Sequence, residues 1–171
     1  MPKFGYSFKE YDPVVHARAA GREINMSPKA AREVCNTIKG KKLSDAINLL
    51  EDVIVMNKSI PFRRHKKEVA HRRSTDKFHA GRYPVKVAKH ISLILNEVES
   101  NADFKGLDIS NLRIIHAATH RARTIPGYIP RAMGRSSPMM HELVHIEIIA
   151  GWLMNGKISN YYDKKSISKE F

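Results

Sequence analysis

A single cysteine, Cys35, leaves the chain no internal disulfide to staple it. No stretch approaches the roughly 18 uninterrupted apolar residues that a membrane-crossing helix needs. The opening Met1-Pro2-Lys3-Phe4-Gly5-Tyr6 lacks the apolar segment of a signal peptide, so the chain is expected to stay in the cytoplasm. Internal repeats and low-complexity tracts are absent too, which favours one compact unit. There is no glycine-rich phosphate loop, no G-x-S-x-G elbow and no pair of carboxylates in an apolar setting, so catalysis is not expected. Cys35 falls on an apolar helical stripe, where a thiol packs as a small inert group.

What the chain does have is positive charge, and it is unevenly spread. The net formal charge is +13 over 171 residues. From Asn57 to Lys89 there are eleven Lys/Arg against two acids, Glu68 and Asp76. From Arg113 to His141 there are five arginines and no acid. The remainder of the chain is nearly balanced. Solubility alone does not require such segregation; a polyanionic partner does, and nucleic acid is the first candidate. A membrane surface would call for a basic amphipathic helix. Here the basic residues fall in loops and extended segments, which favours RNA over lipid.

Apolar spacing supplies the scaffold. Ser27-Pro28 predicts a helix start, with serine capping the first turn and proline at its first position. Ala30, Ala31, Val34, Cys35 and Ile38 then share a face, and Gly40 ends the run. Leu43, Ala46, Ile47, Leu50, Val53 and Ile54 make a second helix, and Gly40 makes the pair a short hairpin. Pro84 opens a third, striped by Val87, Ala88, Ile91, Ile94, Leu95, Val98 and Ala102 and closed at Gly106. Beyond Gly106 the period falls to two. Leu112, Ile114, His116 and Ala118 alternate with Arg113, Ile115, Ala117, Thr119 and Arg121, and Val144, Ile146 and Ile148 alternate with Leu143, His145 and Glu147. Val15–Met26 reads as a third strand. The fold class is therefore α+β, with three helices packed on a small antiparallel three-stranded sheet.

Between the two clear strands lie Thr124–Met140, far more than the two to five residues of a hairpin turn. Continued outward as a ribbon, each arm of about ten residues reaches roughly 30 Å. A ribbon that long has no core of its own and needs something to lie against. Alternation puts Arg121 and Arg123 on one strand face, where they are expected to brace a single RNA surface.

The densest basic stretch, Pro61 to Tyr83, interleaves its charge with Phe62, Phe78 and Tyr83, which could stack on unpaired bases. Nine histidines raise the question of metal. His116 and His120 are four apart, as are His141 and His145, yet no carboxylate or cysteine is in place beside the first pair, and Glu142 and Glu147 are off-register for the second. No metal and no cofactor are expected.

Six short motifs, in order, carry a resemblance: Ser27-Pro-Lys-Ala-Ala-Arg with Ile38-Lys-Gly, Ile60-Pro-Phe-Arg-Arg, Gly81-Arg-Tyr-Pro-Val-Lys-Val-Ala-Lys, Asn101-Ala-Asp-Phe-Lys-Gly-Leu-Asp, Arg131-Ala-Met-Gly-Arg and His145-Ile-Glu. Over about Lys3 to Ile149 the chain resembles the large-subunit ribosomal protein L-twenty-two family, archaeal type, whose eukaryotic relatives are numbered seventeen. The resemblance implies residues 1–150 as one ribosomal-protein domain with a basic insertion at 57–82 and an extended hairpin at 116–145. Residues 151–171 extend past the family's usual end. The implied function is a structural constituent of the large subunit that binds large-subunit ribosomal RNA, supports assembly and lines the polypeptide exit tunnel.

On this reading the RNA-binding residues are Arg63, Arg64, Lys66, Lys67, His71, Arg72, Arg73, Lys77, Arg82, Lys86, Arg113, Arg121, Arg123, Arg131 and Arg135. The tunnel tip is Tyr128, Ile129, Pro130, Arg131, Ala132 and Met133. Implied partners are ribosomal RNA, neighbouring large-subunit proteins and the nascent polypeptide at the tip, with no membrane and no homo-oligomer. A free-standing RNA-binding factor is the competing reading. A factor that cycles on and off would have to reorder the ribbon each time, at about 1–2 kcal/mol per residue.

Overall fold

The computed structural model describes residues 5–72 and 78–152. In chain order they form β1 (His16–Asn25), α1 (Pro28–Ile38), α2 (Leu43–Ile54), β2 (Ile60–Pro61), β3 (Gly81–Arg82), α3 (Val85–Phe104), a 3-10 turn (Ile109–Asn111), β4 (Arg113–Pro130) and β5 (Ser136–Gly151). The main sheet is antiparallel in the order β1-β5-β4, so β5 is central and hydrogen-bonded on both edges. The three helices cover one face. The stripe expected for α3 is the buried one: Val87, Ala88, Ile91, Ile94, Leu95, Val98 and Ala102. It meets Val144, Ile146, Ile148 and Ala150 of β5 in the core. Burying each large aliphatic side chain there contributes roughly 1.5–3 kcal/mol.

The helix hairpin is fastened to the sheet through backbone. Gly40 takes a left-handed φ of 77° and sends its N–H to the Ile114 carbonyl at 2.8 Å. Leu43 N–H reaches the Leu112 carbonyl at 3.0 Å, and Ile114 N–H returns to the Lys41 carbonyl at 3.0 Å. The α1–α2 link thus behaves as a short extra edge beside β4. Ser27 precedes α1 as expected, but its side chain makes no capping bond; its carbonyl receives the Ala31 N–H instead.

Strand alternation holds for β5 and breaks in β4. Ile114 is buried, but a bulge between Ile114 and His116 then shifts the phase, so Ala117 enters the core and His116 and Ala118 do not. The expected face of His116 and Ala118 is therefore wrong by one residue, because an extra residue in a strand turns every later side chain over.

The other face of the sheet is half covered by the N-terminal segment. Phe8 packs on the rings of His16 and His116 at 6.2 and 5.5 Å. The Arg18 guanidinium lies between the rings of Tyr6 and Tyr11, at 4.6 and 4.2 Å. This cover explains why Glu147 and Ile149, on the face opposite the helices, are fully buried.

Beyond Leu143, where pairing with β1 ends, β4 and β5 continue alone as a two-stranded ribbon. Pairing runs unbroken from Thr124↔Glu142 to Pro130↔Ser136. The long loop that Thr124–Met140 could have been is therefore almost entirely strand. Met133 and Gly134 have φ of 59° and 66°, and the Arg135 N–H closes on the Ala132 carbonyl at 3.4 Å. Two consecutive left-handed residues inside such a bond make a type I′ turn, whose twist suits a hairpin. Cys35 is buried in α1, and burial pushes its thiol up to about 12, so it stays protonated.

Candidate nucleic-acid interface

The basic insertion is a folded excursion with a fixed base. Its ends pair as β2 and β3, through Ile60↔Arg82 and Pro61↔Gly81. A further bridge joins His71 to Ala80, and Arg72 N–H bonds the His79 carbonyl at 2.8 Å. Ile60, Phe62 and Ala80 are buried under it. Its outgoing turn is held by one carboxylate. Glu33 of α1 is buried and accepts the backbone N–H groups of Arg63 at 3.2 Å, Arg64 at 3.0 Å and His65 at 3.1 Å. Three amides on one carboxylate satisfy a buried charge that is otherwise expensive.

With the backbone pinned, the side chains of Arg63, Arg64, Lys66, Lys67, His71, Arg72, Arg82 and Lys86 all lie on residues that are exposed to solvent. Arg73 and Lys77 lie outside the described residues. Several aromatic faces are taken from within. Arg63 stands over Phe78 at 5.4 Å, Arg72 over Tyr83 at 4.9 Å and Arg82 over Phe62 at 5.7 Å. The expectation that Phe62 stacks on bases fails, since it is 3% exposed and belongs to the core. The pairing leaves guanidinium groups held at defined heights on rings, which suits phosphate contact better than a free arginine does.

Along the hairpin, Arg113 is half buried and donates to the Gly40 carbonyl at 3.3 Å. Arg121 pairs with Glu142 at 3.0 Å, and Arg123 pairs with Glu23 at 3.0 Å. Simple alternation would keep Arg121 and Arg123 on one face. A bulge between Arg121 and Thr124 intervenes, and the two reach acids on different strands. Arg131 and Arg135 flank the turn and are joined by the Arg131 N–H to the Arg135 carbonyl at 2.8 Å. The tip residues Tyr128, Ile129, Pro130, Arg131, Ala132 and Met133 are all exposed, Met133 at 93%.

A second buried carboxylate was not legible as a site. Glu147 of β5 lies between the two histidines four apart on β4, accepting from His116 Nε2 at 2.9 Å and His120 Nε2 at 3.2 Å. Ser7 adds its backbone N–H, 3.0 Å from Oε2, and its hydroxyl, which bonds Oε1. A carboxylate does therefore accompany His116 and His120. Register pairs Glu147 with Ala118, midway between the histidines, and only the strand pairing reveals this. Among the described residues no group of three or more His, Cys, Asp or Glu is placed to hold a metal ion, and no helix is long and apolar enough to cross a membrane.

Comparison with known proteins gives this arrangement a lineage. The family model for ribosomal protein L22p/L17e matches residues 19–151, which include both basic segments. The chain is 47% identical over 150 residues to large ribosomal subunit protein uL22 of Archaeoglobus fulgidus, covering 88% of this chain and 97% of that one. It is 48% identical over 149 residues to the protein of that name from Methanocaldococcus jannaschii, covering 87% and 95%. For the Thermofilum pendens protein the figures are 45% over 150 residues, 88% and 97%. These relatives are ribosomal proteins and not enzymes, and the chain belongs to the ribosomal protein L22p/L17e family.

Proposed function

We propose that the protein is a structural constituent of the large ribosomal subunit in the cytoplasm. Its insertion and hairpin stem bind large-subunit ribosomal RNA, and its hairpin tip faces the nascent polypeptide in the exit tunnel. The observation that carries this reading is the segregation of charge onto two built excursions. Eleven Lys/Arg fall between Asn57 and Lys89 and five arginines between Arg113 and His141, around a core that is nearly neutral. Family membership supplies the context: the matched relatives are named as large-subunit proteins.

The parts divide by chemistry. Arg63, Arg64, Lys66, Lys67, His71, Arg72, Arg82 and Lys86 offer phosphate contacts from the insertion and its exit into α3. Arg113, Arg121 and Arg123 do so at the hairpin base. Between Arg123 and Arg131 the outgoing strand has no charge. The ribbon there exposes Ile125, Tyr128 and Ile129, and on the returning strand Met139 and Met140, which pair with Gly127 and Pro126. A surface beside a moving peptide should not be uniformly sticky, and this mixture of apolar, small and sparse basic groups fits that need. Neighbouring subunit proteins complete the set of partners. The test is sedimentation of cell lysate through a sucrose gradient. The protein should travel with mature large subunits after a high-salt wash; release into the light fractions by that wash would overturn residency.

A further inference from the structure

Helix α3 is charged against its own dipole. Cations favour a helix C-terminus and anions an N-terminus. Here Lys86 and Lys89 stand in the first turns, while Glu97, Glu99 and Asp103 fill the last ones. The helix is thus sorted, with its basic end joined to the insertion and its acidic end turned away from it along the axis. The segment from His90 to Leu112 contains one lysine, Lys105. Lys105 Nζ donates to Tyr11 Oη at 3.0 Å, the Pro13 carbonyl at 2.8 Å and the His16 carbonyl at 2.8 Å. Those three bonds use all its donors. No donor is left for a nearby acid, and against Glu97, Glu99, Asp103 and Asp108 its single charge leaves the segment at a net −3.

From its middle to that end, the helix and the loop beside it expose large apolar side chains. Phe104 is 93% exposed, Val14 77% and Leu93 61%. Leu93, Glu97, Ser100 and Phe104 follow at spacings of four, three and four, so they share one helix face about 16 Å long. The Lys105 clasp holds the loop at Pro13 against the last turn, which brings Val14 to the same end. Phosphate is repelled from such a surface; a cationic side chain beside an apolar one is what it complements.

We propose that this acidic, apolar-studded end of α3 is a protein-docking face, opposite in charge to the RNA-binding segments, and that its occupant is a basic amphipathic segment of a neighbouring subunit protein. The proposal rests on the large-subunit reading above and adds the surface and the chemistry of the partner.

The experiment places a photo-crosslinking benzophenone residue at position 104, and separately at position 86, in tagged full-length chain assembled into large subunits in cells. After purification and irradiation, position 104 should join a Lys/Arg-rich peptide of another protein, while position 86 joins RNA. Adding Glu97→Lys and Asp103→Lys should lower the protein crosslink by roughly tenfold or more, because like charges would then meet. RNA joined at position 104 overturns the proposal. So do a second copy of this chain, the chain's own residues 153–171, no crosslink at all, or a protein crosslink indifferent to the charge reversal. Tagged chain missing from large subunits would instead overturn the functional reading on which the proposal stands.

Discussion

The Glu33 carboxylate accepts the backbone N–H of Arg64 at 3.0 Å, linking the first helix to the base of the basic insertion. With Arg63 and His65 on the same carboxylate, one buried charge fixes the direction in which two arginines leave the fold. Replacing Glu33 with alanine removes three charge-assisted hydrogen bonds and should lower stability by about 2–3 kcal/mol. Urea midpoints would report the loss, and amide exchange at Arg63–His65 should accelerate while α3 stays protected. An unchanged midpoint with unchanged exchange would show that the turn holds itself.

Glu147 makes acid stability predictable in sign. Burial alone would raise its carboxyl above the ordinary 4.5, but the bonds from the Ser7 hydroxyl and N–H, then from His116 and His120, outweigh burial and hold it down at about 2. The folded value lies below the unfolded one, so the unfolded chain takes up this proton first as pH falls. The stabilisation is complete above about 4.5 and is lost towards about 2. Glu147→Gln cannot take part in that titration. Unfolding curves of the two proteins should therefore converge across that interval and run parallel above it. A constant gap down to the acid limit would rule out this linkage.

How far the residues alone foretell the fold depends on which force decides each element. Three helices were legible because their apolar stripes repeat every three or four residues, and α3 matches position for position. The face of β4 was not, since the bulge at Ile114/His116 resets a period of two without leaving a compositional mark. Glu33 and Glu147 look like any surface acid until tertiary contacts bury them. Phe62, in a run of arginines, has the look of a base-stacking ring; it lies next to β2, whose two residues are buried, and follows them into the core. Charge segregation marked out the two basic segments, but the internal partners of their arginines required the structure.

Phosphate contact by the insertion predicts a salt signature. Alanine at Arg63, Arg64, Lys66 and Lys67 should weaken binding to ribosomal RNA fragments similarly across sequences. It should also flatten the log–log salt dependence by about 0.7–0.9 for each phosphate no longer neutralised. Filter-binding titrations over a range of salt would measure it; an unaltered slope would exclude these four.

The hairpin base should behave differently from its tip. Arg121–Glu142 and Arg123–Glu23 are exposed pairs, each worth at most about 1 kcal/mol, so phosphate can displace either acid. Glu142→Gln with Glu23→Gln should thus tighten RNA binding a few-fold at little cost in stability, whereas charge reversal at Arg121 and Arg123 should impair entry into subunits. Shortening the ribbon by the paired residues Ile129, Pro130, Ser136 and Ser137 keeps register and turn, and should leave entry largely intact. Competition between tagged variant and untagged protein in purified large subunits would compare them. Equal exclusion of both variants would refute the division.

The three prolines of the ribbon, Pro126, Pro130 and Pro138, bear on the time before any partner is met. Pairing alternates between bonded and non-bonded positions, and Pro126, Tyr128↔Pro138 and Pro130 fall on the same alternate set. At those positions a backbone N–H would point outward, along an edge with no further strand. Proline supplies none. A newly made chain therefore carries two long edges with gaps in their donor rows, and a second ribbon cannot zip onto either without interruption. The same feature that leaves the ribbon in need of walls keeps it from finding them in copies of itself.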